Sequence, residues 1–163
     1  MEIRALEQSD IEQATRLVWE VFSEFETPEY ERRGADEFRR YIEPGEKLKR
    51  MESGELKLWG GFEYGLITGV IAVRPRENAP EKGSRCFDHI CLLFVRKEYH
   101  RRGIARALFG EAKRACQESG AKEITVNSSP YAAQAYRRLG FIPTEVEKCV
   151  NGIRFTPMKY MLD

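Results

Sequence analysis

The stretch that most constrains the fold runs from Cys86 to Gly120 and has three parts in immediate succession. CFDHICLLFV is an apolar segment of strand length. RKEYHRRG is a basic turn closed by one glycine. IARALFGEAKRACQESG carries a helical stripe of Ile104, Leu108, Ala112 and Cys116 and stops at Gly120. A strand that passes into a helix through so short a turn belongs to a sheet covered by helices. At the seam, Gly103 permits close backbone approach, and the helix start offers N–H groups and positive potential. Arg101 and Arg102 add charge and fork-shaped donors. Together these features make an anion site suited to phosphate. The same features make an exposed basic turn that only begins a core helix, and local physics leaves both readings open.

A chain of 163 residues fits one domain with a real core, read here as residues 1–163. Net charge is +1, which gives no bulk field for nucleic acid or an anionic membrane and makes the basic residues near Arg101 a local feature. No apolar run approaches the roughly 18 residues of a membrane span, and MEIRALEQSD lacks a signal-peptide core. The expectation is a cytoplasmic protein that engages neither nucleic acid nor membrane. Cys86, Cys91, Cys116 and Cys149 are too sparse and irregular for a disulfide framework, as suits a reducing compartment.

The rest of the chain fits around the central unit. Met1 to Ala5 predicts a short strand. Ser9 with Glu12 has the spacing of a capping box, followed by Ile11, Ala14, Leu17, Val18, Val21, Phe22 and Phe25 at helical period. A shorter helix is expected from Ala35 to Ile42, ending before Pro44, with another turn or two over 46–53. LKLWGGFE and LITGVIAVR predict a hairpin closed at EYG. A polar loop from Pro75 to Ser84 precedes the central strand. KEITVN predicts a strand, and Ser129 followed by Pro130 predicts a capped helix reaching Leu139 and Gly140. TEVEKCV and IRFTPMKYML predict a last hairpin around Asn151-Gly152, a pair suited to a type I′ turn. This order implies a mixed α/β sheet with helices on its faces.

Two nucleotide-binding patterns are absent. No lysine followed by Ser or Thr comes after Gly103, so the segment is not a P-loop, and no glycine stands two residues before Gly103 for a Rossmann fingerprint. LLFVRKEYHRRGIARALF instead resembles motif A of the GNAT superfamily of acyl-CoA N-acyltransferases, whose signature is Gln/Arg-x-x-Gly-x-Gly/Ala. Gly103 and Ala105 match, and His100 stands where Gln or Arg is usual. ITVNSSPYAAQAYRRLGF resembles motif B of the same superfamily, including its Tyr-x-x-x-Gly-Phe ending. The resemblance is strongest from Leu92 to Phe141 and is closest to small bacterial-type members. It implies a GNAT fold: a central, mixed, mostly antiparallel sheet of about six to seven strands with helices on both faces.

The resemblance also implies a role for particular residues. The anion becomes the pyrophosphate of acetyl-CoA, held by the backbone of His100, Arg101, Arg102, Gly103, Ile104, Ala105 and Arg106. Leu93, Phe94 and Val95 hold the pantetheine arm as if it were an added strand. Asn127 and Ser129 join the coenzyme site, Ser129 standing where many members carry an asparagine, although a plain helix cap explains it equally. Tyr136 takes the position of the general acid toward sulfur; otherwise it is a helix tyrosine packed on the sheet.

Amide formation from an amine and a thioester also requires a base, because an alkyl ammonium near pKa 10 is not a nucleophile. His89 lies on the strand entering motif A, and its ordinary pKa near 6.5 would let it accept a proton without large tuning. By strand alternation it faces the same way as Cys91 and Leu93, with Asp88 opposite. Glu24, Glu26 and Tyr30 are expected to meet the cationic acceptor, a small-molecule or peptide amine, with the two glutamates as an alternative route for its proton. Cys86, His89 and Cys91 split between strand faces and lack a fourth ligand, so no metal is expected. Trp19 and Trp59 are expected in the core. Dimerisation is common in the fold, so a homodimer is possible. A coenzyme A- or phosphate-binding regulatory module without catalysis is the competing reading, and a nucleic-acid domain using the basic loop is a weaker one.

Overall fold

The structure, a computed structural model, describes residues 1–26, 32–75 and 87–162. Its order is β1 (Glu2–Ala5), α1 (Ile11–Phe25), α2 (Arg32–Tyr41), α3 (Pro44–Glu52), β2 (Lys57–Glu63), β3 (Leu66–Arg74), β4 (Phe87–Val95), α4 (Ile104–Glu118), β5 (Glu123–Ser128), α5 (Ala133–Leu139), β6 (Ile142–Pro143), β7 (Lys148–Val150) and β8 (Ile153–Met161). The strands join in the order β1-β2-β3-β4-β5-β8-β6, with β7 paired to β8. Every pairing is antiparallel except β4 with β5. The mixed, mostly antiparallel sheet is as expected, but among the described residues it has eight strands rather than six or seven, two of them, β6 and β7, being short pieces of the terminal region.

Two apolar cores sandwich the sheet. One gathers α1, α2 and α3 over Leu58, Val70, Ala72 and Leu92. The other gathers α4 and α5 over Ile71, Val73, Ile90 and Ile124. The stripe of α1 explains its place: Ile11, Ala14, Leu17, Val18, Val21 and Phe22 are all buried. Each large aliphatic or aromatic side chain so removed from water contributes about 1.5–3 kcal/mol. Phe38 of α2 stacks on Phe22 at 4.0 Å between ring centroids, which ties the second helix to the first. Trp19 and Trp59 are only half-buried at the margins of these cores.

Several boundaries differ from expectation for local reasons. The box before α1 is formed by Glu7 and Asp10, not Ser9 and Glu12: the Glu7 amide donates to Asp10 Oδ2 at 2.8 Å, and Arg4 holds the same carboxylate at 2.9 Å. α2 ends at Tyr41, before Pro44 as expected, and Pro44 in turn starts α3. It sits at the first turn, where a missing N–H costs nothing, and Glu43 Oε1 and Oε2 accept from the amides of Gly45 and Glu46 at 3.0 and 2.8 Å. α2 begins at Arg32, three residues before the expected start. Helix α5 begins at Ala133; the Ser129 hydroxyl caps the turn before it, accepting from the Ala132 amide at 3.1 Å. Asn151 and Gly152 both have positive φ, 54° and 77°, as a type I′ hairpin requires. The strand leading into that turn is shorter than TEVEKCV, covering only Lys148–Val150.

Strand β4 carries the main irregularity. Ala72 pairs with Leu92 and Val73 with Ile90, so Cys91 is an extra residue, a β-bulge. The bulge leaves His89 and Cys91 toward the α1 side but turns Leu93 toward the α4 core, contrary to simple alternation.

Candidate active site

The parallel pairing of β4 and β5 runs from Phe87–Glu123 to Ile90–Val126 and stops there, although both strands continue. Beyond Ile90 the two part, and the β5-facing edge of β4 from Cys91 to Val95 opens into a fork. Leu93, Phe94 and Val95 lie along it. An edge of this kind offers its N–H and C=O groups to an extended guest. Phe25, at the end of α1, closes on the mouth of the fork. Its ring lies 5.3 Å from that of His100 and 5.1 Å from that of Tyr131.

At the outer end of β4 the chain turns through a short 3-10 segment, Lys97–Tyr99, into the loop before α4. Arg96 fixes the turn: its Nε donates to the Ile67 carbonyl at 2.9 Å and its Nη1 pairs with Glu20 at 2.8 Å. A His100 Nε2–H donates to the Val95 carbonyl at 2.8 Å, which folds the loop back on its own strand. Arg101 and Gly103 both have positive φ, 64° and 80°. The first backbone bond of α4 runs from the Ala107 amide to the Gly103 carbonyl at 3.0 Å, so the amides just before Ala107 have no helical acceptor. They gather at the positive end of a 15-residue helix dipole. A Cβ on Gly103 would meet no atom within 4 Å, so the loop surface is open there. Arg106 leans away, donating to the Arg138 carbonyl at the end of α5 at 3.3 Å. Backbone amides of this arrangement suit a phosphate or pyrophosphate.

On the inner side of the fork, Tyr136, Glu26 and Ser129 come together from three elements. Tyr136 is 6 % exposed, with its ring edge-on to Phe141 at 5.4 Å. Burial first, then the nearby Glu26 and Cys91, pushes its phenol well above the usual value near 10. Glu26, just past the end of α1, is 7 % exposed, and Ser129 Oγ donates to its Oε1 at 2.5 Å. A buried carboxylate, a protonated phenol and an open strand edge can take a proton, give a hydrogen bond and hold a guest at one place.

Residues 26–162 match a protein family described as Acetyltransferase (GNAT) domain. The chain belongs to the GNAT acetyltransferase family. Solved structures agree on the fold. The PaiA N-acetyltransferase of Thermoplasma acidophilum, in complex with coenzyme A, is 18% identical and covers 99% of this chain and 98% of its own, with a TM-score of 0.77. The protein smu.2055 of Streptococcus mutans is 22% identical, covers both chains fully and has a TM-score of 0.77. YncA of Salmonella typhimurium, with acetyl-CoA, is 18% identical, covers 100% and 94%, and has a TM-score of 0.72. No curated protein matches the chain in sequence.

Within this GNAT domain the remaining expected residues divide. Glu24 is exposed and paired with Lys97 at 3.1 Å, whereas Glu26 is buried. Asn127 is exposed on β5, in register with Pro157. Tyr30, like Cys86, lies outside the described residues. Among the described residues no helix is long and apolar enough to cross a membrane. His89 needs correction as a group poised near neutrality. Its Nδ1 lies 2.8 Å from Thr125 Oγ1, and burial, reinforced by the Arg74 charge, lowers its pKa to about 4. An imidazole so depressed stays neutral but is a weak base.

The His89 shift has a consequence for stability. Folded His89 resists protonation down to about 4, while in the unfolded chain it protonates near 6.5. Between those values the unfolded state binds more protons, so stability falls as pH falls. Acidification across this window should cost wild type about 3 kcal/mol more than it costs His89→Gln. Denaturant melts of the two proteins at pH 6.5 and pH 4 check this, and equal losses would show His89 to be readily protonated in the folded state.

Proposed function

We propose that this GNAT domain transfers an acetyl group from acetyl-CoA to a primary amine by direct attack in a ternary complex. The observation that carries the reading is the fork: an unpaired β4 edge that leads from the amide-lined loop at Gly103 to Tyr136 and Glu26. The residues present fit the coenzyme. Amides of the Arg101–Arg106 loop would hold its pyrophosphate, and the Leu93–Val95 edge would hold its pantetheine arm. Bound acetyl-CoA supplies the thioester carbonyl that the amine attacks, with amide and free thiol as products. The coenzyme A and acetyl-CoA bound in the PaiA and YncA structures support this co-substrate.

The acid and base follow from the environments described. Glu26 receives the ammonium and takes its proton, a role for which its negative charge and its place beside Tyr136 suit it better than the neutral imidazole of His89, which is engaged with Thr125. Tyr136 keeps its proton and donates a hydrogen bond that tightens as sulfur gains charge. Outright proton transfer from so raised a phenol to a thiolate near 8.5 is uphill. Ser129 orients Glu26 and caps the turn toward α5, linking base and acid.

The test combines binding and turnover. Wild type should bind acetyl-CoA in calorimetry and release free thiol from it with at least one member of a panel of amines. In Gly103→Val a branched side chain meets a left-handed backbone and the intended phosphate position, so affinity should fall at least tenfold, roughly 1.4 kcal/mol. Unchanged affinity in a folded Gly103→Val protein removes the coenzyme from this loop. Binding without thiol release from any amine would make the domain a coenzyme-binding module.

A further inference from the structure

The turn of the last hairpin does not end in solvent. Gly152 is buried, although it is a central residue of the turn that joins Val150 to Ile153. It meets Gly34, itself buried near the start of α2. A Cβ on Gly34 would stand 2.5 Å from the Gly152 carbonyl oxygen and 3.2 Å from Ile153 Cγ1. No side chain fits between them, so helix and turn touch backbone to backbone. Glycine inside a helix is less favourable than alanine, and here it is what permits the contact.

The contact crosses the fork. Strand β8 flanks β5 on the side away from β4, and its Thr156 pairs with Ser128 at the end of β5. Ile153–Phe155 therefore run on past β5, toward the same end of the sheet as the free edge of β4 from Cys91 to Val95. Helix α2 lies over β4, with the Phe38 ring 5.9 Å from that of Phe94. A turn that leaves β8 and seats on α2 thus spans the gap between β8 and β4. Strand β4, helix α2, the turn, β8 and β5 close a ring on the α1 face of the sheet. The α4 face, with the loop that would hold the coenzyme pyrophosphate, lies opposite. With the donor on that face, the acceptor enters through the ring, and the buried Glu26 and Tyr136 require its amine to pass inside.

We propose that this ring selects the acceptor, admitting an amine carried by a small molecule and excluding a lysine within a polypeptide. A polypeptide continues on both sides of its lysine and needs an open groove between α2 and β8, which the backbone of the turn closes. A small amine has no such flanks. This rests on the transferase reading above and narrows its acceptor to the small-molecule class.

The experiment compares thiol release from acetyl-CoA with a panel of small amines and with peptides, blocked at both ends, that carry one internal lysine. In wild type, kcat/KM for the preferred small amine should exceed that for any blocked peptide by at least about 10²-fold. In Gly34→Ala the added methyl cannot coexist with the Gly152 carbonyl, so the turn has to lift, while alanine favours the helix itself. The ratio should narrow at least about tenfold, with acetyl-CoA affinity within about twofold of wild type. Gly34→Leu should narrow it further. A smaller wild-type ratio overturns the proposal, as does a ratio that narrows in neither variant. Should the variants not fold, the wild-type ratio decides alone. Thiol release with neither amines nor peptides, with acetyl-CoA binding intact, defeats the transferase reading and this inference with it, an outcome distinct from turnover without preference for small amines.

Discussion

Glu26→Gln is expected to lower turnover at neutral pH by about 10³-fold, within the usual range for loss of a general base. The amide keeps the size of the side chain and can still accept from Ser129 Oγ, so the contact seen at 2.5 Å need not be lost. What disappears is the ability to take a proton from the ammonium. Solution chemistry then has to supply neutral amine, and its fraction rises about tenfold per pH unit until the amine's own pKa near 10. The deficit of Glu26→Gln should therefore shrink with rising pH, while acetyl-CoA affinity stays near wild type. Turnover-versus-pH curves for the two proteins measure this. A deficit that is constant across pH, or absent, takes the base role away from Glu26.

Tyr136→Phe should reduce kcat by about 10²-fold with acetyl-CoA affinity changed less than threefold, because its hydrogen bond strengthens only as charge reaches sulfur. Phenylalanine preserves the packing against Phe141 that buries this position. The effect should also depend on the leaving group. A thioester whose thiol is more acidic needs less help, so the penalty should narrow with such an analogue. Single-turnover rates with the two donors provide the comparison. Full activity in Tyr136→Phe would leave the residue a packing element.

The sequence made the central unit legible because its signals are periodic and local. The stripe of α4, the basic turn and the apolar β4 each depend on residues within one element, and each appears where expected. The fork was not legible. It depends on where β4 and β5 cease to pair, a property of two strands whose partners lie a whole helix apart in the chain, as Ile90 and Val126 do. The bulge at Cys91 leaves no trace in composition, and by adding one residue it reverses the facing of Leu93. Glu24 and Glu26 look equivalent in the sequence, but the helix end places one on Lys97 at the surface and the other under Ser129. Lys47 escaped notice for a similar reason, since a polar nonapeptide gives no sign that one of its lysines is enclosed. The contact of α2 with the last hairpin is equally long-range. A Cβ on Gly34 would stand 2.5 Å from the Gly152 carbonyl, and nothing near Gly34 in the chain foretells it.

The two cores separated by the sheet also set how the domain can change. Strand β3 sends Ile71 and Val73 into one and Val70 and Ala72 into the other, so it acts as a partition. Substitutions that share no partner across such a wall combine additively in free energy. Substitutions within α2 and α3 on one face should therefore leave α4 and the loop before it on the other face with their geometry unchanged. In the transferase proposed above, one scaffold can thus diversify its clientele on one face without renegotiating the reagent held by the other.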